Sequence, residues 1–330
     1  MNVKDVLIKG IKKSYHVLFG RTFINPSCDL NRQSANDKIF EILSKEEPCM
    51  IARFGSTELI TINNYLCIRK EDNYFKKIGH YITDKTHLPW WQKENFKFMD
   101  VFSGVFPPTE ETMVRFSQRY LNDIPLIDIL GSWQYYEKFM PLRSDVKNIH
   151  LETLYPFFVD SPWTRVLKGK KVLIVHPFED TIVSQYSKRN ELFNNPDVLP
   201  DFELITLKAI QSAAGIKSPY KDWFEALRTM ENQISEIDFD ICILGCGAYG
   251  LPLAAYIKRL GKKSIHFGGG LQLLFGIKGK RWDNPDYLKL YNIPEFYSES
   301  YKSLYNNNWT KPLDSDTPKS ASKLDGATYW

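Results

Sequence analysis

Long apolar runs are missing from this sequence. The longest stretch without a charged residue, Ile241 to Ile257, is shorter than the roughly 20 residues that a spanning helix needs, and it contains three glycines and a proline. The opening residues, MNVKDVLIKGIKKSYHVLFGR, have neither the continuous apolar stretch nor the small-residue cleavage site of a signal peptide. A cytoplasmic protein without a membrane span is therefore expected. Cysteine is scarce as well: Cys28, Cys49, Cys67, Cys242 and Cys246 form an odd set with no CxxC pair. That argues against a disulfide framework and a structural zinc site. Charge of one sign is also in short supply. With 43 Lys and Arg against 39 Asp and Glu, a net +4 spread over 330 residues provides no basic field for a phosphate backbone, and no nucleic-acid partner is expected.

What is present is the composition of an ordinary globular chain, 43% hydrophobic, with length for two domains or one large α/β unit. Apolar strand-like runs occur at 49–54, 125–131, 172–176, 203–207, 240–245 and 264–267. Helical patterns fall between the later ones, at 179–193, 221–236 and 251–260. Strand and helix in alternation predict parallel βαβ units, hence a doubly wound, mostly parallel Rossmann-like α/β sheet. Residues 1–33 read as a helix and linker, 34–297 as the α/β domain with a sub-boundary in the loop-like stretch near 142–168, and 298–330 as a polar tail.

In the first helix Val3, Leu7, Ile11, Tyr15 and Leu18 recur at helical spacing, and Lys4, Lys9, Lys12 and Lys13 fall largely elsewhere. Two readings follow. The helix docks its apolar side on its own domain with a solvated basic face, or it rests on an anionic membrane at the inner surface of the cell.

Four segments carry candidate chemistry. Gly245-Cys-Gly247-Ala-Tyr249-Gly250 is a GxGxxG between a strand and a helix, a turn that lets backbone approach a phosphate at a helix N-terminus. A dinucleotide site also wants an acidic residue about 20 positions later, whereas the next strand ends in His266-Phe-Gly268-Gly269-Gly270. Backbone amides of that glycine run, with Gln272, Lys278 and Arg281 beyond, suit a diphosphate. A strand ending in His176, followed by Glu179, suits hydroxyl binding or proton transfer. The remaining segment, Arg53-Phe-Gly55-Ser56-Thr-Glu58, delivers a cation from an apolar strand, where it must pair with Glu58 or meet a ligand. Each segment also has a plainer reading, as a turn, a helix cap or a solvated loop.

The run ARFGSTEL resembles the start of GT-D fold bacterial glycosyltransferases, and HPFEDTIVSQYSKR, DFDICILGCGAYGLPLAA and IHFGGGLQLLFGIKGKRW are similar to the polysaccharide-locus proteins grouped with that fold. The likeness spans about 35 to 283. It implies a nucleotide-sugar donor, UDP-sugar favoured, and a glycan hydroxyl as acceptor, lipid-linked in one version. The family's acidic Asp-x-Glu motif handles a divalent metal, Mn or Mg, and the diphosphate. Glu58 matches its Glu, and Ser56 stands where its Asp would be, leaving Glu58 as the one matching metal ligand and free to act as a base. Glu58, His176 and Glu179 are then the catalytic candidates. Trp90, Trp91, Trp133, Trp163, Trp223 and Trp282 are candidates for stacking on sugars. Two other functions stay open: an NAD(P)-dependent oxidoreductase resting on GCGAYG, and a nucleotide-binding protein without turnover.

Overall fold

The computed structural model describes residues 3–20, 25–213, 215–216, 218–318, 320 and 329. Seven strands build one sheet: β1 (Met50–Ala52), β2 (Ile129–Ser132), β3 (Lys147–His150), β4 (Lys171–His176), β5 (Glu203–Lys208), β6 (Ile241–Leu244) and β7 (Lys263–His266). Their order is β3-β2-β1-β7-β6-β4-β5, and every neighbouring pair is parallel. This is a Rossmann-like α/β architecture, all parallel where the sequence predicts mostly parallel.

The helices are α1 (Val3–Phe19), α2 (Arg32–Ser44), α3 (Ser56–Arg69), α4 (Tyr74–Ile82), α5 (Lys93–Ser103), α6 (Glu110–Asp123), α7 (Glu179–Tyr186), α8 (Trp223–Ser235), α9 (Gly250–Arg259) and the single turn α10 (Leu271–Leu274). Because side chains alternate along a strand, β4 sends Val172 and Ile174 into one core and Leu173 and Val175 into the other. The first core is completed by Ala35, Ile39 and Leu43 of α2 and Ile182 of α7. The second holds residues of α3, α5, α6, α8 and α9, among them Leu59, Met99, Phe116, Trp223 and Leu253. Both faces of the sheet are therefore covered, as a parallel sheet requires.

Two stretches differ from their sequence reading. Lys147–His150, expected as loop, is edge strand β3, paired from Ile129↔Lys147 to Ser132↔His150. Lys147 and Asn148 are exposed, so no apolar run marks the strand. One sheet thus takes strands from both sides of 142–168. The stretch from 298 to 318 is polar in composition yet packs into the domain, because Tyr301 and Trp309 are buried in the first core. Arg32 holds Glu299 through Nε at 2.7 and 2.8 Å, and Asp316 accepts from the Thr181 amide at 2.8 Å and its hydroxyl at 2.6 Å. Among the described residues no helix is long and apolar enough to cross a membrane.

Strand β4 connects outward to β5, while its neighbour β6 connects inward to β7. The carboxyl ends of β4 and β6 therefore flank a topological switch point, where open α/β sheets form their ligand crevice.

Candidate functional site

A cavity of about 820 Å³ opens at that point, in the size range of small-molecule sites. Its floor is made of strand ends. Arg53 follows β1, Gly245 follows β6, and His150, His176 and His266 are the last residues of β3, β4 and β7. Three of the chain's six histidines thus close strands onto one cavity.

Burial makes these imidazoles neutral. It lowers His176 to about 3 and His150 to about 4, the latter helped by the Arg32 charge. His266 also falls to about 3, through burial first and the Arg53 charge second. Nδ1 of His176 accepts the Phe178 amide at 2.9 Å, and Nδ1 of His150 accepts the Glu152 amide at 3.2 Å. In a neutral ring the other nitrogen then carries the hydrogen, so both residues have an Nε2–H donor. Neither nitrogen of His266 has a well-formed hydrogen bond.

The glycines of the two motifs are seats for these side chains. A β-carbon on Gly245 would lie 2.5 Å from Cδ2 of His176, and one on Gly250 would lie 2.3 Å from Cδ2 of His266. A β-carbon on Gly270 would lie 2.5 Å from the Tyr155 ring, and one on Gly269 the same distance from Tyr329. Arg53 lies along Gly268, 3.3 Å from the corresponding point. Gly247 has open space around it and a φ of +58°, a left-handed conformation that favours glycine. Packing thus accounts for both ends of GCGAYG without a dinucleotide.

Arg53 and Arg281 supply the positive charge. Arg53 forms no ion pair with Glu58, and its Nε is buried without a hydrogen-bond partner. Its guanidinium sits 5.7 Å from the Trp133 ring, and Trp133 Nε1 and Gln134 Nε2 fix the neighbouring Phe54 carbonyl at 3.1 and 3.2 Å. Arg281 has no carboxylate partner among the described residues. Burial works against its charge, but the phenols of Tyr329, Tyr287 and Tyr155 raise its pKa above the ordinary value. Burial raises the Tyr155 phenol, and the charges of Arg53 and Arg281 both act against that rise.

Glu58, in the first turn of α3, folds back over Gly55, where a β-carbon would lie 1.8 Å from its Oε2. It is the one carboxylate lining the cavity among the described residues. No group of three or more His, Cys, Asp or Glu that could hold a metal ion occurs among them. Hard cations want several oxygen ligands. A single carboxylate sharing its end of the cavity with Arg53 does not fit a resident Mn or Mg ion.

Most of the expected residues meet here: Arg53, Gly55, Ser56, Glu58, His176, Gly245, Gly247, Tyr249, His266, Gly268, Gly269, Gly270, Gln272 and Arg281 all line the cavity. Three do not. Glu179 starts α7 outside the lining, Gly250 lies beneath His266, and Lys278 turns its Nζ toward the Tyr305 ring, 5.4 Å away. Of the six tryptophans considered for stacking, Trp133 and Trp282 line the cavity, Trp163 and Trp223 are core, and Trp90 and Trp91 lie near α1. Sequence reasoning missed His150, Tyr120, Tyr155, Tyr287 and Tyr291. A strand-end histidine was the available signal for the first of these, and it was hidden by the polar start of β3. No protein-family model, no curated protein and no solved structure matches this chain.

Proposed function

We propose that this protein is a glycosyltransferase of the GT-D type, moving a sugar from a nucleoside-diphosphate donor, a uridine one in the first instance, to a hydroxyl of a bacterial surface glycan. The observation that carries the reading is the pairing of Arg53 and Arg281, neither held by a carboxylate, with a lone carboxylate, Glu58, on one cavity at the switch point. Two cations of this kind suit the diphosphate, whose negative charge grows as the sugar leaves, and fixed charges aimed at developing charge are a large catalytic term.

The chemistry assigned to each group is simple. The acceptor oxygen bonds to the anomeric carbon as the bond from that carbon to the diphosphate oxygen breaks, and the electron pair leaves with the nucleoside diphosphate. Glu58 takes the proton of the acceptor hydroxyl. Neutral His176 and His150, each with an Nε2–H, are suited to donate to phosphate or sugar oxygens and unsuited to accept a proton near pH 7. The aromatic rings of Trp133, Trp282 and Tyr291 suit sugar faces.

An oxidoreductase reading is weakened by the absence of an acid after β7 and by the glycines being occupied with histidine packing. The test is thermal melting with UDP, GDP, CMP, NAD and NADP. A ligand at 100 times its dissociation constant stabilises the fold by about 2.7 kcal/mol. A rise with one nucleoside diphosphate is expected, and a rise with NAD or NADP alone would overturn the proposal.

A further inference from the structure

Helix α1 is mounted inside out. At about 100° per residue, Val6, Leu7, Ile11, Val17 and Leu18 fall within an arc of about 140°, and all five are exposed, Leu7 at 64%, Leu18 at 74% and Val17 at 79%. The opposite side faces the protein and is mostly polar, with Ile8, 6% exposed, its one buried apolar side chain among the described ones. Asp5 accepts from Trp90 Nε1 at 2.8 Å, while Lys12 Nζ and His16 Nε2 each lie 2.6 Å from Asp84, whose side chain is fully buried. A helix docked on a globular domain ordinarily buries its apolar stripe. Here polar contacts and the single residue Ile8 do the holding, and the apolar stripe is left outward. On α4, which packs against α1, Phe75 is 80% exposed as well.

We infer that this face is a docking surface for an anionic lipid bilayer. Charge complementarity selects that occupant. Asp5, the acid of α1, is turned inward and Lys12 is paired with Asp84, whereas exposed Lys4 and Lys13 border the stripe on its two sides. A cationic rim around an apolar stripe is the pattern of helices that lie in the headgroup region. A second copy of this chain would set the same lysines against one another. The placement also has a use. Helix α1 ends at Phe19 and Asn25 already lines the cavity. Gly20 and Asn25 are five residues apart, a reach of at most about 18 Å. A bilayer beneath α1 would hold the cavity next to an amphiphilic substrate. The docking itself does not depend on the transferase reading.

The test is flotation of the full-length protein with vesicles of phosphatidylcholine alone and with 30% phosphatidylglycerol, about a third anionic headgroups. The double variant Leu7→Asp with Leu18→Asp changes exposed positions and is expected to melt as the parent does. The parent should float with the anionic vesicles, and the variant should lose about tenfold or more in bound fraction. No flotation of the parent, or equal flotation of parent and variant, would overturn the inference. So would a parent dimer in light scattering that the variant dissociates without any vesicle binding, because the face would then belong to a second copy. Nucleotide binding, measured in parallel, reports separately on the cavity.

Discussion

The imidazole of His266 rests on Gly250 so closely that a β-carbon on the glycine would fall 2.3 Å from Cδ2 and 2.4 Å from Nε2. Gly250 opens α9, where alanine is favoured over glycine by about 1 kcal/mol on propensity alone. The contact outweighs that gain, since overpacking costs about 1–3 kcal/mol. Gly250→Ala is therefore expected to lower stability in urea melts. Gly10→Ala, at a helix position with nothing nearby, is expected to raise it by up to about 1 kcal/mol. Equal effects of the two would refute the seating of His266.

Arg53 gives a prediction of opposite character. Because its Nε is buried without a partner, Arg53→Met removes an unsatisfied group and should leave stability unchanged or higher, within about 1 kcal/mol. Nucleoside-diphosphate binding, measured by calorimetry, should fall about 10- to 100-fold, the loss of one charge-assisted contact. A destabilised variant that still binds would make Arg53 structural.

For Glu58→Gln we expect transfer to fall by about 10²–10⁴, the usual weight of a general base, with donor binding intact in calorimetry. Retained turnover would take Glu58 out of the mechanism.

The buried histidines fix a pH dependence. In His87, His150, His176 and His266 the folded-state pKa is depressed to between about 3 and about 4, below an unfolded value near 6.5. Between those limits the unfolded chain binds protons that the folded one refuses. The stability they confer is complete above pH 6.5 and lost as pH falls toward 4, each contributing a slope of up to about 1.4 kcal/mol per unit. Glu137 acts the other way. Burial raises it to about 7, against hydrogen bonds from Ser132, Trp133 and Gln134, so its share is present below 4.5 and lost as pH rises to 7. Burial also raises Asp100, Asp123 and Glu152, which act in the direction of Glu137. The histidine share is therefore read by difference: the urea midpoint of His176→Asn should fall less than the parent's, or rise more, between pH 7 and pH 5.

Strands β4, β6 and β7 were legible because apolar runs end in glycine or histidine, and the same strand ends gave His176, Gly245 and His266. Tyr155 and Tyr291 were not, because they sit in short turns outside any helical or strand period. Lys278 and Glu179 look equivalent in sequence to Arg281 and His176, and only the direction of the chain separates them. The apolar period of α1 was plain, but sequence gave no sign of which side Asp84 and Trp90 would grip.

Strand β1 lies inside the sheet, and its second neighbour is the last strand of the chain, paired at Met50↔Ser264. Some two hundred residues separate them, which at about 5–20 residues per second is roughly 10–40 s of synthesis. During that interval one apolar edge of β1 has no native partner. Newly made chains of this protein should depend on a holding chaperone until the ribosome has released β7.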